Sequence, residues 1–286
     1  MAVRLVAPRS KITFDEDAAW SSLVALARGR SAPALAVELG DDGAPALRSR
    51  HEMTEGARAM LELFAPLACG DVASDFVVAH LGQSLDGRIA VPDGTTRFIT
   101  GPEDIRHTHR LRALADAVVV GASTTDLDDP ELTTRHVSGD DPVRVVLDPR
   151  GRVPRDRRVF NDGKAPTILV TTESARRVPV PADVDVLVVS PDPARFSARR
   201  VRDALRARGL ERLLVEGGGV TVSRFIEDGV VDVVQIAVAP KLIGTGAPAL
   251  VLSAVCAPPT RVRRFVLGED VLFEYALERR APESGA

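Results

Sequence analysis

From Phe76 onward the chain carries short apolar runs, each the length of a buried strand. They are FVVAHL (76–81), the AVVVG of DAVVVGAST (116–124), VRVVLD (143–148), TILVTT (167–172), VDVLVV (184–189), LLV (213–215) and VVDVVQIAVAP (230–240). Segments with helical spacing lie between several of them. Gly101-Pro102 opens a helix predicted to run to about Leu114 and to carry Arg106, His107, His109, Arg110 and Arg112. A second helix is expected over 195–208, and a third from the spacing of Val220, Val222, Phe225 and Ile226. SLDG (84–87) is a turn, DDPELTTR (128–135) a loop, and RVRRFVLGEDVLFEYALE (261–278) a hairpin turning at Gly268-Glu269-Asp270. This order predicts an α/β fold: a mostly parallel sheet flanked by helices, with an antiparallel hairpin at its C-terminal edge. Residues 1–75 have a weaker pattern. Helices are expected over 18–28 and 55–67, with a turn-rich gap at 41–46. The expected organisation is an appendage of unassigned role (1–75), a main domain (76–280) and a tail (281–286).

The stretch RLLVEGGGVTVSRFIE (212–227) carries the sharpest chemical signal. Leu213–Val215 form a strand that ends at Glu216, and Gly217, Gly218 and Gly219 lead into a helix. A strand, a glycine turn and a helix N-terminus together offer free backbone N–H groups and a positive helix end to an anion. Glycines let a phosphate approach because no Cβ intervenes. Glu216 would stand at the carboxyl end of a strand, where open α/β sheets bind ligands. The competing reading is a tight turn and nothing more.

Composition narrows the function classes. The chain has 286 residues and a formal net charge of −3, which gives no general attraction to nucleic acid or to a membrane surface. Lysine occurs only at 11, 164 and 241, so an anion site must be built from arginine or backbone. Cys69 and Cys256 are far apart and lack metal spacing, which suits a reducing cytoplasm. The acidic residues Asp15, Glu16 and Asp17 fall where a signal peptide would be apolar, and no apolar run is long enough to span a bilayer.

Taken in order, SLDGRIA, FITG, HRLRALADAVVVGAST, DDPELTTR, VEGGG and APKLIG resemble the reductase domain of the riboflavin-biosynthesis protein RibD, over roughly residues 76–278. The resemblance implies a dihydrofolate-reductase-like fold and an NADPH-dependent enzyme, expected to be a homodimer. The implied reaction reduces the ribosyl group of a pyrimidine ribotide 5′-phosphate to ribityl. Residue by residue, Gly82 and Phe98 match positions beside the nicotinamide, Thr124 and Asp128 match cofactor contacts on the turn after the VVVG strand, and Gly217, Gly218 and Gly219 match the phosphate cradle. Thr96, Arg112, Leu132 and Arg135 match the substrate pocket, and Glu216 matches a carboxylate that contacts substrate. Arg112 and Arg135 are fixed-charge forks suited to a phosphate monoester, or else ordinary surface arginines. Arg150 and Thr171 are candidates by position for the 2′-phosphate of NADPH.

Two features depart from the family pattern. His80 stands where the family usually has lysine; it is read either as a hydrogen-bond donor to substrate or as a packed, inert histidine. The H-x-E and P-C-x-x-C ligands of the zinc deaminase that often precedes this reductase are missing, so no metal is expected. Two alternatives accompany the main reading: a reductase of the same fold acting on a pterin or another pyrimidine, and a non-enzymatic nucleotide-binding protein.

Overall fold

A computed structural model describes residues 4–5, 13–39, 45–49, 51–69, 75–91, 99–176, 179–254 and 258–278. The chain divides into two compact units after Phe76.

The first unit contains strands β1 (Arg4–Leu5) and β2 (Thr13–Phe14), helix α1 (Glu16–Ala27), strands β3 (Leu35–Leu39), β4 (Pro45–Ser49) and β5 (Glu52–Met53), and helix α2 (Glu55–Cys69). Asp15 caps α1 by accepting from Ala18 N at 3.0 Å, which satisfies one of the free amides of the first turn. The two helices meet through Trp20 and Phe64, packed edge to face at 5.6 Å. The strands form a small sheet in the order β1-β4-β3 and a separate β2-β5 pair. These strands were not foreseen from the sequence. Of the turn-rich gap expected at 41–46, residues 41–44 lie outside the described residues, and Pro45 and Ala46 open β4.

The second unit runs through β6 (Phe76–Ser84), β7 (Arg88–Ala90), α3 (Pro102–Leu114), β8 (Ala117–Gly121), α4 (Ala122–Asp128), β9 (Val143–Leu147), α5 (Arg158–Asn161), β10 (Thr167–Thr172) and β11 (Val184–Ser190). It continues with α6 (Ala198–Arg206), β12 (Arg212–Glu216), α7 (Gly219–Glu227), β13 (Val233–Ala239), β14 (Ala247–Pro248), β15 (Arg261–Leu267) and β16 (Asp270–Ala276). Nine strands form one sheet in the order β11-β10-β9-β8-β12-β6-β13-β16-β15. The pairs from β11 through β12 are parallel, as is β6 with β13, whereas β16 is antiparallel to both β13 and β15. The fold is therefore the expected mixed α/β arrangement with an antiparallel hairpin at one edge.

Strands β8 and β12 are buried at every position, as strands covered on both faces must be. Val119, Val145, Val170, Leu213 and Val215 share a core with Val201 and Leu205 of α6 and Val222 and Phe225 of α7. Each such side chain contributes roughly 1.5–3 kcal/mol on full burial. From β8 the chain moves outward to β11, then returns to place β12 between β8 and β6. That return is a topological switch point, and the crevice at the carboxyl ends of β8, β12 and β6 is where a sheet of this kind binds ligands.

Two expected elements differ. The segment after the VVVG strand, read as a turn because its run ASTTDLD is polar, is the helix α4; Thr125 Oγ1 bonds back to Gly121 O at 3.1 Å within it. The helix expected over 195–208 begins only at Ala198. Ser197 caps it, and Pro193–Arg195 forms a separate 3₁₀ turn.

Candidate active site

Glu216 ends β12 at the switch point and is 8% exposed. A carboxylate so buried needs a charged partner. It has one: Arg112, on the last turn of α3, donates from Nε to Oε1 and from Nη2 to Oε2, both at 2.7 Å. The third arm of the guanidinium, Nη1, donates to Thr133 O at 3.0 Å. Burial alone would depress the arginine's proton affinity, yet the Glu216 carboxylate keeps it above the ordinary value. Arg112 is therefore charged, and its fork is closed on Glu216. Glu216 and Thr133 take three of its five N–H donors, so the expected phosphate contact would fall to the second hydrogens of Nη1 and Nη2.

Arg135 is differently placed. Its side chain is 46% exposed, and its nearest carboxylate is Glu131 at 3.9 Å. It also reaches Thr133 Oγ1 at 3.4 Å, a long contact. Its backbone N donates to His109 Nδ1 at 3.1 Å, and the His109 ring packs edge-on to His136 with centroids 4.5 Å apart. Burial, reinforced by Arg112 and Arg135, lowers the His109 pKa to about 3, so it is a neutral acceptor here. The loop carrying Arg135 is bent by Asp129 (φ 41°) and Leu132 (φ 56°), left-handed positions uncommon for these residues. Leu132 is only 1% exposed, backbone included. Arg158 ties the loop down through Asp129 and Glu131.

The glycine triplet divides into three roles. Gly217 has φ 106°, a conformation that suits glycine alone, and a Cβ there would lie 2.8 Å from Thr124 Oγ1. Gly218 N donates to that same hydroxyl at 2.8 Å. Gly219 is small for another reason: a Cβ would come within 2.2 Å of Ala249 O. The cradle expectation is thus corrected in part. One amide is taken by Thr124, and one glycine serves backbone packing. Bare backbone remains at Gly217 and Gly218, both partly exposed, at the N-terminus of α7. Thr124 lies on α4 and holds the turn from the facing side, and Asp128 ends α4.

Among the 2′-phosphate candidates, Arg150 is exposed on the loop following β9. Thr171 is corrected: it is 1% exposed, and its single hydroxyl proton goes to Asp148 O at 2.8 Å. Thr96 and Phe98 lie outside the described residues. The turn after β6 is fixed by Asp86, which accepts from Gly244 N at 2.6 Å and Ile243 N at 3.1 Å and so ties SLDG to KLIG. The Ser84 hydroxyl, followed by those amides, lowers the Asp86 pKa to about 2. Among the described residues no group of three or more His, Cys, Asp or Glu is arranged to hold a metal ion, and no helix is long and apolar enough to cross a membrane.

His80 and Gly82 lie on the same face of β6. His80 is 4% exposed, and its Nε2 lies 3.2 Å from Asp104 Oδ1 on α3. A Cβ on Gly82 would meet Thr100 at 2.7 Å and Asp104 Oδ2 at 3.2 Å. Asp104, in the first turn of α3, was not among the residues expected at the site. The available signal was the spacing Asp104, His107, Leu111 and Leu114, one helical face that is polar at its start.

The groups brought together suit a dinucleotide and an anionic substrate. Bare glycine backbone lies at a helix start, arginines are exposed at 135 and 150, and a clamped carboxylate ends β12. Residues 75–257 match the RibD C-terminal domain. The chain is 34% identical to the 2,5-diamino-6-ribosylamino-4(3H)-pyrimidinone 5′-phosphate reductase of Methanothermobacter thermautotrophicus over 71% of its own length and 98% of that protein's. It is 35% identical to riboflavin biosynthesis protein RibD of Aquifex aeolicus over 60% of this chain, spanning 48% of that longer protein. Among solved structures, the deaminase/5-amino-6-(5-phosphoribosylamino)uracil reductase of Thermotoga maritima superposes with a TM-score of 0.62 at 29% identity, over 79% of this chain and 64% of that one. The chain is a reductase and belongs to the RibD C-terminal domain family.

Proposed function

We propose that this protein reduces the ribosyl group of a ribosylaminopyrimidine 5′-phosphate to ribityl, with NADPH as the reductant, in riboflavin biosynthesis. The observation that carries the reading is the Glu216–Arg112 fork at the switch point, a carboxylate held rigid where ligands of such sheets lie. When bound, NADPH supplies the hydride that the sugar C1′ receives as its ring opens. The bare backbone at Gly217 and Gly218 would let the cofactor's pyrophosphate approach the start of α7, with Thr124 and Asp128 beside it and Arg150 on the 2′-phosphate. Gly82 would flank the nicotinamide. Glu216 is fixed as an acceptor, suited to a donor group of the substrate, and its orientation costs no reorganisation at the moment of reaction because Arg112 holds both oxygens. Arg135, charged and exposed, would take the 5′-phosphate, with the substrate held between it and Glu216. His80 would meet the sugar from β6.

A cofactor-oxidation assay on the 2,5-diamino-pyrimidinone and the aminouracil ribotides tests the reading, with NADH run in parallel. Turnover of either with preference for NADPH is expected; turnover only on pterins would assign the fold a different substrate. Glu216→Gln keeps one acceptor and loses the charge. It is expected to lower kcat strongly while leaving NADPH affinity within about twofold, since the cofactor's phosphates lie on the glycine turn. Arg135→Ala is expected to raise KM for the phosphorylated substrate about 10- to 100-fold, the equivalent of one charge-assisted bond, and to leave a dephosphorylated analogue unaffected. Equal losses on both substrates would remove the phosphate role.

Pairing of subunits is part of the same proposal. The outermost strand β15 leaves Val262 and Val266 exposed, a surface suited to a second copy of the chain. Sedimentation should then give a dimer.

A further inference from the structure

A buried polar path crosses the second unit beside the site. His80 of β6 is paired in register with Gln235 of β13, and Asp104 and His107 face them from α3. Gln235 fixes the sense of the path. Its Nε2 donates to Glu274 Oε2 at 2.9 Å, so its Oε1 must accept from His107 Nε2 at 2.7 Å. Glu274 is neutralised in turn by Arg263, whose Nε and Nη2 lie 2.7 and 2.6 Å away. His107 therefore carries its proton on Nε2 and is bound away from His80, which its ring meets only edge-on at 5.2 Å between centroids.

His80 meets a carboxylate at one nitrogen alone. Its Nε2 lies 3.2 Å from Asp104 Oδ1, a charge contact outside aligned hydrogen-bond geometry, while Nδ1 is buried without a hydrogen-bond partner among the described residues. An unmade hydrogen bond on a buried ring nitrogen is costly, and a site that tolerates one has a use for it. Two positions further along the same face of β6, Gly82 reaches the partly exposed edge of the site, against Thr100 and Asp104.

We propose that Asp104 is a positioning residue for the reduction: its carboxylate keeps the proton of His80 on Nε2 and so presents the Nδ1 lone pair to a hydroxyl of the bound sugar. This rests on the reading above, in which His80 meets the substrate. It inverts the hydrogen bond that a lysine makes there. An ammonium can only donate, whereas this tautomer accepts, and a ribosyl group supplies hydroxyl donors. The charged and titratable groups around His80 are Asp104 and His107 on α3, with Arg110 beyond them, and the Glu274–Arg263 pair behind Gln235. Burial holds His107 neutral down to about pH 3, so the charge against His80 is that of Asp104.

Nitrogen-15 spectra of histidine-labelled full-length protein read the tautomer without any substrate. A protonated Nε2 with bare Nδ1 on His80 is expected; a protonated Nδ1 would overturn the proposal whatever the substrate proves to be. Asp104→Asn should then shift the His80 tautomer and lower kcat by about tenfold or more, with the KM for NADPH within about twofold. Asp104→Glu should restore part of the rate. In a His80→Gln background Asp104→Asn should cost nothing further. Equal losses in both backgrounds would make Asp104 a structural residue, and a His80→Gln enzyme with wild-type turnover would show that no substrate contact is made there. Absence of turnover on every ribosylaminopyrimidine phosphate would instead count against the proposed substrate and leave the tautomer measurement standing.

Discussion

Arg112→Met is expected to destabilise the protein by about 3–5 kcal/mol, far more than any other single arginine substitution at the site. The guanidinium is almost wholly buried, and two of its nitrogens hold the two oxygens of Glu216 at 2.7 Å. Without it, a carboxylate at 8% exposure would have to remain charged and unpaired or take up a proton, and Thr133 O would lose its donor. Removing both charges removes that penalty. The double variant Arg112→Met/Glu216→Leu should therefore be more stable than Arg112→Met alone, although it would be inactive. Urea unfolding of the two variants checks this. A double variant no more stable than the single one would mean that packing of the arginine stem, and not the stranded charge, carries the effect. Arg135→Ala gives the contrast. Its half-exposed side chain makes only long contacts, so its stability should stay within about 0.5 kcal/mol of wild type while substrate binding suffers.

The difference between these two arginines marks how far the sequence can be read. Both sit in motifs that resemble phosphate ligands, and nothing in either motif says which is free. Arg112 finds its partner 104 residues away, on a strand that reaches α3 only because β12 returns between β8 and β6. That return is a tertiary fact with no local trace. The strands themselves were legible because both faces of the sheet are buried, which makes apolar runs of strand length stand out at β8, β9, β10 and β12. Helix α4 was not, because its hydrogen bonds are supported by Thr125 and its packing needs almost no apolar side chains. Gly217 was legible as a backbone requirement, and its φ of 106° bears that out. Gly219 looked identical and answers instead to the carbonyl of Ala249, which only the folded chain brings near. Thr171 failed for the same kind of reason: a strand-end hydroxyl can face a ligand or a neighbouring carbonyl, and here it faces Asp148.

Stability is expected to fall as pH drops below about 6.5, with His107 as a principal cause. The residue is 1% exposed and donates from Nε2 to Gln235. Burial first, and then the neighbouring His80, lower its pKa from 6.5 to about 3 in the folded protein. In the unfolded chain the ring titrates at its ordinary value. Between these two values the unfolded state holds a proton that the folded state does not, so protonation favours unfolding. The contribution is fully present above about pH 6.5 and is lost progressively as pH falls towards 3, at up to ~1.4 kcal/mol per pH unit. Asp104, whose pKa is also lowered, acts in the same direction but only below the ordinary carboxylate range, so the two windows separate. His109 is depressed to about 3 as well, by burial and then Arg112 and Arg135, and adds its own proton to the slope. Substituting His107→Gln keeps a donor for Gln235 and removes the titrating ring. Urea unfolding at pH 8, 7, 6 and 5 should therefore give a shallower acid slope for His107→Gln than for wild type, with the His109 share remaining. Equal slopes would mean that His107 takes up its second proton, on Nδ1, in the folded state as readily as in the unfolded chain, with its Nε2 bond to Gln235 kept. The negative charge of Asp104 would then have outweighed the burial that keeps the ring neutral.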